Sequence, residues 1–300
     1  MVARTESFRQ PSEPGVIVPA VAAVTLFVVA WTLLHVGFYR HKQVLDTPIY
    51  QRYGNAMARG ELPYRDFAVE YPPGALPAFA LPGLAEPGTA QHVTSGFRET
   101  FEALMWICGA VALLAMAAAL RAQRAPPQRL WGALAFAALA PLALGSVVLS
   151  RFDLWPAALV AVAVASLAFG RWRVGSVVLA LAIAVKLYPA VLVPVAVAAA
   201  LAGFVAFGKV LSPQFLIWLI AVVPLVPGRR GLAASALLAA ALVLTQLWFP
   251  FRYWDLANHL DATASWLVVA RDLVLVGLAV MLALPAERRD ARDLIAAGGG

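Results

Sequence analysis

The chain has 300 residues, of which 62% are hydrophobic and only 13% are charged, and its formal net charge is +7. Soluble globular domains are about half apolar and about a quarter charged, so this composition argues against a soluble protein. The arginines lie at the ends of apolar runs rather than in one basic patch, which argues against nucleic acid as a partner. The single cysteine, Cys108, excludes an intramolecular disulfide and a cysteine-based metal site.

Several apolar stretches are long enough to span a bilayer as helices, and long runs without alternation exclude barrel strands. We place the spans at about 16–38, 98–120, 130–149, 153–170, 174–200, 211–227, 231–249 and 263–284. The region 174–228 contains Pro189, Pro194, Pro213 and Pro224 and is compatible with two long spans or with short broken helices. The sequence therefore predicts an all-α, polytopic transmembrane bundle of about eight spans, with residues 1–300 as a single domain.

Arginine-rich connections predict the orientation of this bundle. The loops at 121–130, 171–173 and 229–230 carry arginines without acidic residues, so we expect them to face the cytoplasm. An even number of spans then places both termini in the cytoplasm. The excess of arginine over lysine and the many alanines are typical of a GC-rich bacterial genome. We predict a multi-pass protein of the bacterial plasma membrane.

The long segment 40–97 is predicted to lie outside the cell and to carry functional elements. Its residues 48–59 have the pattern of an amphipathic helix, capped by Asp46 or Thr47, which we expect to lie on the membrane surface. Residues 71–87 are apolar but hold five prolines, which favours an interfacial or re-entrant segment that is too short to span.

Two charged positions near predicted spans could carry chemistry. Asp46 follows the first span, where a carboxylate could accept a proton from a hydroxyl group, or could simply cap the following helix. Lys186 is the one charge that we place deep within a span, and Pro189 should break the helix beside it. A phosphate would neutralise such a lysine, although the side chain could instead extend to the membrane interface.

Arg151 and Asp153 lie between two spans and could contact a substrate or form an interfacial ion pair, and His259 could be an ordinary loop residue. The chain contains no HExxH motif, no DxD pair, no P-loop and no GxGxxG motif. We therefore predict no metal and no nucleotide cofactor.

Several short motifs resemble one family of membrane enzymes. They are Asp46-Thr-Pro-Ile-Tyr50, Leu62-Pro-Tyr-Arg-Asp-Phe67, Glu70-Tyr-Pro-Pro-Gly74, Arg151-Phe-Asp153, Lys186-Leu-Tyr-Pro189, and Ser212-Pro-Gln-Phe215 with Trp218. Together they resemble the bacterial polyprenyl-phosphate-mannose-dependent α-mannosyltransferases of the GT-C superfamily, over most of the chain from about 31 to 284. The chain departs from that family in the short interval between Pro189 and Ser212, where family members usually have more helices.

The resemblance implies inverting transfer of a sugar, expected to be mannose, from a polyprenyl-phosphate donor to a lipid or glycan acceptor at the outer face of the membrane. No cofactor is implied, since the donor is a lipid-linked sugar, and the remaining partners are membrane lipids. Asp46 is the expected catalytic base, with Asp66 and Glu70 as the alternatives. The residues expected to bind the donor phosphate are Lys186, Tyr188, Arg151 and Arg65. The further candidates for substrate contact are Tyr50, Asp66, Glu70, Tyr71, Asp153, Gln214 and His259.

Two other readings fit parts of the same pattern. Broken helices and a buried lysine would also suit a transporter or flippase for an anionic lipid-linked substrate. The shortened interval after Pro189 would suit a non-catalytic member of the family. A transporter needs polar groups through both halves of the membrane, whereas this sequence concentrates them in the segment 40–97 and at neighbouring span ends.

Overall fold

The computed structural model describes residues 15–40, 46–86, 93–186, 215–259 and 261–283. Across these ranges the chain is helical and forms no strand; the only bridge pairs Pro63 with Phe67. In chain order the helices are α1 Ile17–Leu33, α2 Thr47–Ala58, α3 Pro77–Ala85, α4 Ser95–Ala122, α5 Pro127–Leu144, α6 Val147–Ser150, α7 Leu154–Ala168, α8 Trp172–Val185, α9 Leu216–Val222, α10 Gly228–Trp248, α11 Tyr253–His259 and α12 Ala262–Ala283. Short 3-10 turns occur at Gly37–Arg40, Pro73–Ala75 and Val223–Leu225.

Three of these helices, α4, α10 and α12, are long and apolar enough to cross a membrane. Large apolar side chains point away from the protein on several helices, for example Ile17, Leu232 and Trp266. Exposed apolar faces of this kind are unfavourable in water but are expected against lipid. The structure thus agrees with the predicted helical membrane protein, whereas the number of spans stays a prediction.

The helices pack around α4 and α7, which lie along one another. Helix α8 packs on α7, α1 packs on α5 and α4, and α10 packs on both α12 and α5. Small residues allow the closest approaches: a Cβ atom on Gly109 of α4 would lie 2.3 Å from the ring of Phe27 on α1. Close packing at small residues is a principal source of helix association in membranes.

Two helices end earlier than the sequence predicted. Helix α8 ends at Val185, and Lys186 has extended backbone angles of φ −157° and ψ 138°. The helix therefore ends just before Lys186, close to the break predicted at Pro189, and the depth of Lys186 in the membrane stays a prediction. Helix α5 ends before Gly145, whose φ of +64° favours glycine and terminates the helix.

Helix α2 has the predicted position but a different environment. It packs on α3 at a crossing where a Cβ atom on Gly54 would lie 2.5 Å from the carbonyl oxygen of Phe79, and one on Gly83 would lie 2.5 Å from Gly54. Its polar residues Gln51 and Asn55 are only 2% and 4% exposed. Helix α2 is therefore packed against the protein on part of its polar side, where Arg52 and Arg59 stay exposed, and its position on the membrane surface stays a prediction.

Candidate functional site

Two ion pairs lie together where α2 and α7 begin and α8 ends. Asp46 precedes α2 and contacts Arg151, which precedes α7. Lys186, at the end of α8, donates from Nζ to Oδ1 of Asp153 at 2.7 Å. The chain thus brings together four charged residues that the sequence placed in three separate segments. We call these four residues, Asp46, Arg151, Asp153 and Lys186, the ion-pair cluster.

Asp46 occupies the N-cap position of α2, but its side chain makes no capping hydrogen bond. Its carboxylate contacts the Arg151 guanidinium instead. The sequence predicted either a helix cap or a catalytic group at Asp46. The residue occupies the cap position, while its carboxylate is directed to Arg151 within the ion-pair cluster.

Asp153 is the most buried member of the ion-pair cluster, with no exposed surface. Its Oδ1 accepts hydrogen bonds from Lys186 Nζ and from Trp218 Nε1, both at 2.7 Å. Its Oδ2 is buried and has no partner among the described residues. A desolvated carboxylate oxygen with a free lone pair is costly unless it meets a donor, which makes Oδ2 a place where a hydroxyl group could bind.

Aromatic rings surround the lysine of the ion-pair cluster. The ammonium nitrogen of Lys186 lies 4.8 Å from the ring centre of Phe152, 5.2 Å from that of Trp218 and 5.8 Å from that of Phe215. Cation–π attraction stabilises the ammonium in this position, and the rings exclude water. Charges in such a water-poor environment interact more strongly than they would at the protein surface.

Tyr50 and Tyr71 form the side of the site nearest α3. The centres of their rings lie 5.9 Å apart, and both rings pack against Phe79 and Phe152. Burial raises the pKa of Tyr50 well above its ordinary value, and the neighbouring Tyr71 and Asp153 raise it further. Burial also raises the pKa of Tyr71. Both phenols therefore stay neutral at physiological pH and can donate hydrogen bonds without adding charge.

A proline-rich turn holds the two helix ends in place. The carbonyl oxygen of Gly74 accepts a hydrogen bond from Trp155 Nε1 at 3.1 Å, which ties the turn to the start of α7. A Cβ atom on Gly74 would lie 2.6 Å from the backbone of Ala184 on α8. Only glycine fits at this contact, so the turn rests directly against the helix that ends at Lys186.

The remaining predicted site residues lie elsewhere or outside the described ranges. Arg65 pairs with its neighbour Asp66 at 2.8 Å, and its side chain is 70% exposed. This hydrogen bond, together with one from the Leu62 backbone N–H, lowers the pKa of Asp66. Glu70 and His259 are exposed. Tyr188 and Gln214 fall in the segment 187–214, which lies outside the described residues.

Sequence analysis missed a buried charge in α12. Arg271 is 1% exposed, donates from Nε to Asp272 Oδ1 at 2.8 Å, and lies over the ring of Trp248 with its Cζ 5.4 Å from the ring centre. Its Nη1 and the Nε1 of Trp248 have no hydrogen-bond partner among the described residues. The adjacent residues Arg271 and Asp272 inside the apolar run 263–284 could have indicated this buried charge from the sequence alone. Lys186 is therefore not the one charge within the predicted spans.

Comparison with known proteins gives no relative: no protein-family model, no curated protein and no solved structure matches the chain.

Proposed function

We propose that the chain is an inverting membrane glycosyltransferase that transfers a sugar, expected to be mannose, from a polyprenyl-phosphate donor to a lipid or glycan acceptor. The observation that supports it is the ion-pair cluster, which sets two aspartates, an arginine and a lysine beside neutral tyrosines in a largely buried site. The motifs that resemble the GT-C mannosyltransferases supply most of these residues. A lipid-linked donor suits an apolar helical protein because its tail can remain in the membrane.

In this proposal Asp46 is the general base. Its carboxylate takes the proton of the acceptor hydroxyl while that oxygen forms a bond to the anomeric carbon. The bond from the anomeric carbon to the phosphate oxygen breaks on the opposite face, which inverts the configuration and releases the polyprenyl phosphate. Arg151 and Lys186 offset the charge that develops on the phosphate, so a metal ion is not required for that task.

The proposal includes a topology of about eight spans with both termini in the cytoplasm and 40–97 outside. Single cysteines introduced as Arg65→Cys and Gln123→Cys occupy exposed positions that this topology puts on opposite sides. In intact cells an impermeant maleimide should label the first and spare the second. Labelling of both variants from the same side would refute the topology.

Sugar transfer by the purified protein tests the function. The parent protein in lipid nanodiscs should convert a polyprenyl-phosphate sugar and an acceptor into a glycoside of inverted anomeric configuration, identified by NMR. Asp46→Asn should reduce the turnover by about 10²- to 10⁴-fold, the usual contribution of a general base. Glu61→Gln, which breaks the exposed pair with Arg59, is the control and should retain transfer. Equal loss in both variants, or none in either, would argue against Asp46 as the base.

One observation favours a second function, that of a transporter or flippase. The buried Arg271 lies near the middle of α12, where a charge is costly and often marks a substrate path. A flippase would move a fluorescent polyprenyl-phosphate lipid across proteoliposome membranes, and Arg271→Gln would abolish the movement. Sugar transfer without lipid movement would exclude this alternative.

A further inference from the structure

The charges of the ion-pair cluster cancel one another. Asp46 is paired with Arg151, and Asp153 is paired with Lys186, so the two cations and two anions sum to zero. Tyr50 and Tyr71 add no charge because both phenols stay neutral. A phosphate that enters the site therefore meets cations that are already occupied, and at least one carboxylate must give up its partner.

The two pairs differ in how firmly they are held. Lys186 and Asp153 are fixed by Trp218, which donates to the same carboxylate oxygen, and by the aromatic rings around the ammonium. Asp153 is fully buried, so opening that pair would leave a desolvated carboxylate without its cation. The two cations are alike, since Arg151 is 15% and Lys186 is 14% exposed, but the side chain of Asp46 is 17% exposed, so it is the carboxylate of this pair that water and an incoming ligand can reach.

We propose that Arg151 moves from Asp46 to the phosphate of the lipid-linked donor, so that Asp46 becomes free to act only when the donor is bound. The inference rests on the proposed function and adds an order of events to it. The phosphate takes the guanidinium, which can make two parallel hydrogen bonds to phosphate oxygens. The released carboxylate then accepts a hydrogen bond from the acceptor hydroxyl. The Lys186–Asp153 ion pair persists throughout and maintains the geometry of the site.

The exchange makes Asp46 a competitor of the donor for Arg151. Removal of the Asp46 charge should therefore strengthen phosphate binding although it abolishes transfer. A hydrogen bond to a charged group contributes about 1.5–3 kcal/mol, which corresponds to a gain of roughly 10-fold or more in affinity. A merely structural Asp46–Arg151 pair predicts the opposite, because loss of one partner would loosen the site and weaken binding.

The dissociation constant of undecaprenyl phosphate, measured with the full chain in nanodiscs, tests the exchange. Asp46→Asn and Asp46→Ser should each bind it about 10-fold more tightly than the parent, and Arg151→Gln should bind it at least about 10-fold more weakly. The double variant Asp46→Asn/Arg151→Gln should bind like Arg151→Gln alone, because the gain requires the freed guanidinium. Glu61→Gln, which breaks the exposed pair with Arg59, is the control and should bind like the parent.

Unchanged or weaker binding by both Asp46 variants, with melting temperatures near that of the parent, would overturn the exchange. Persistence of the gain in the double variant would overturn it as well, as would absence of binding by the parent and all variants. Neutral undecaprenol should bind all variants equally, so any difference reports on the phosphate. The probe carries no sugar, so the two claims can fail separately. Tighter binding by the Asp46 variants together with no sugar transfer by the parent would refute the proposed function alone. Transfer by the parent without tighter binding by the Asp46 variants would refute the exchange alone.

Discussion

The exposed turn at 59–66 and the ion-pair cluster both contain paired charges, yet they are built in opposite ways. In the turn, Arg59 pairs with Glu61 and Arg65 with Asp66, at 2.8 Å each, between residues close in sequence and open to solvent. In the cluster, the partners come from different segments of the chain and are largely buried. Exposed pairs contribute little to stability, whereas a buried pair becomes very costly when one partner is removed. The energetic consequence of losing one partner therefore depends on the burial of the pair.

The largest expected change in the free energy of unfolding concerns the Lys186–Asp153 pair. Asp153→Asn leaves the ammonium without its counter-charge in a water-poor site, which should lower the free energy of unfolding by about 3–5 kcal/mol. Thermal unfolding in detergent, followed by tryptophan fluorescence, measures the change.

Two variants serve as controls for that measurement. Asp66→Asn, in the exposed turn, should leave the unfolding midpoint nearly unchanged, because solvent replaces the lost charge interaction. Adding Lys186→Met to Asp153→Asn should restore part of the lost stability, since no unpaired charge then remains. Equal effects of the two aspartate variants would remove the distinction between turn and cluster.

A smaller loss of stability is expected from a substitution where the proline-rich turn contacts α8. Gly74→Ala forces a methyl group against the backbone of Ala184, and overpacking of this kind costs about 1–3 kcal/mol. Gly132→Ala on α5 is the matched control, because a Cβ atom there meets nothing within 4 Å. Gly74→Ala should also shift the fluorescence of Trp155, whose indole N–H bonds to the Gly74 carbonyl. A Gly74→Ala protein as stable as Gly132→Ala would show that the turn does not rest on α8.

The pH dependence of stability should be the mildest of these effects. The unfolded phenols of Tyr50 and Tyr71 ionise near their ordinary pKa of 10.0, whereas burial raises both folded-state values. Their contribution is therefore complete below about pH 10 and is lost as the pH rises through the raised folded-state pKa. Melting temperatures between pH 8 and 11 should fall above pH 10 and fall less in Tyr50→Phe. The contribution of the exposed Asp66, whose pKa is lowered in the folded state, is constant over this range and is lost only when the pH falls into the acidic range.

Local sequence patterns predicted well those helices that a single segment of the sequence defines. The spans at 98–120, 231–249 and 263–284 correspond to α4, α10 and α12, and the predicted helix at 48–59 corresponds to α2 at Thr47–Ala58. Apolar runs, caps and prolines act over a few residues, so their effects can be predicted from the sequence. Burial of Gln51 and Asn55 could not be predicted from the sequence, because it depends on how α2 crosses α3.

The candidate site could be predicted as a set of residues but not as a set of contacts. Asp46, Arg151, Asp153 and Lys186 were all singled out, yet Arg151 and Asp153 were considered as partners of one another. The fold pairs each with a residue from another helix end, which no local spacing encodes. Arg65 and Asp66 were singled out on the same grounds, and only their exposure distinguishes them from the cluster.

Photo-cross-linking of a lipid phosphate tests most directly whether the ion-pair cluster holds the donor. The probe is a polyprenyl phosphate with a diazirine on its first isoprene unit, and the adducts are mapped by mass spectrometry. Adducts are expected beside the cluster, on residues such as Phe152, Phe215 and Trp218, and they should be lost in Arg151→Gln. Adducts around Trp248 that survive in Arg151→Gln and disappear in Arg271→Gln would contradict this assignment and place the anion site at α12.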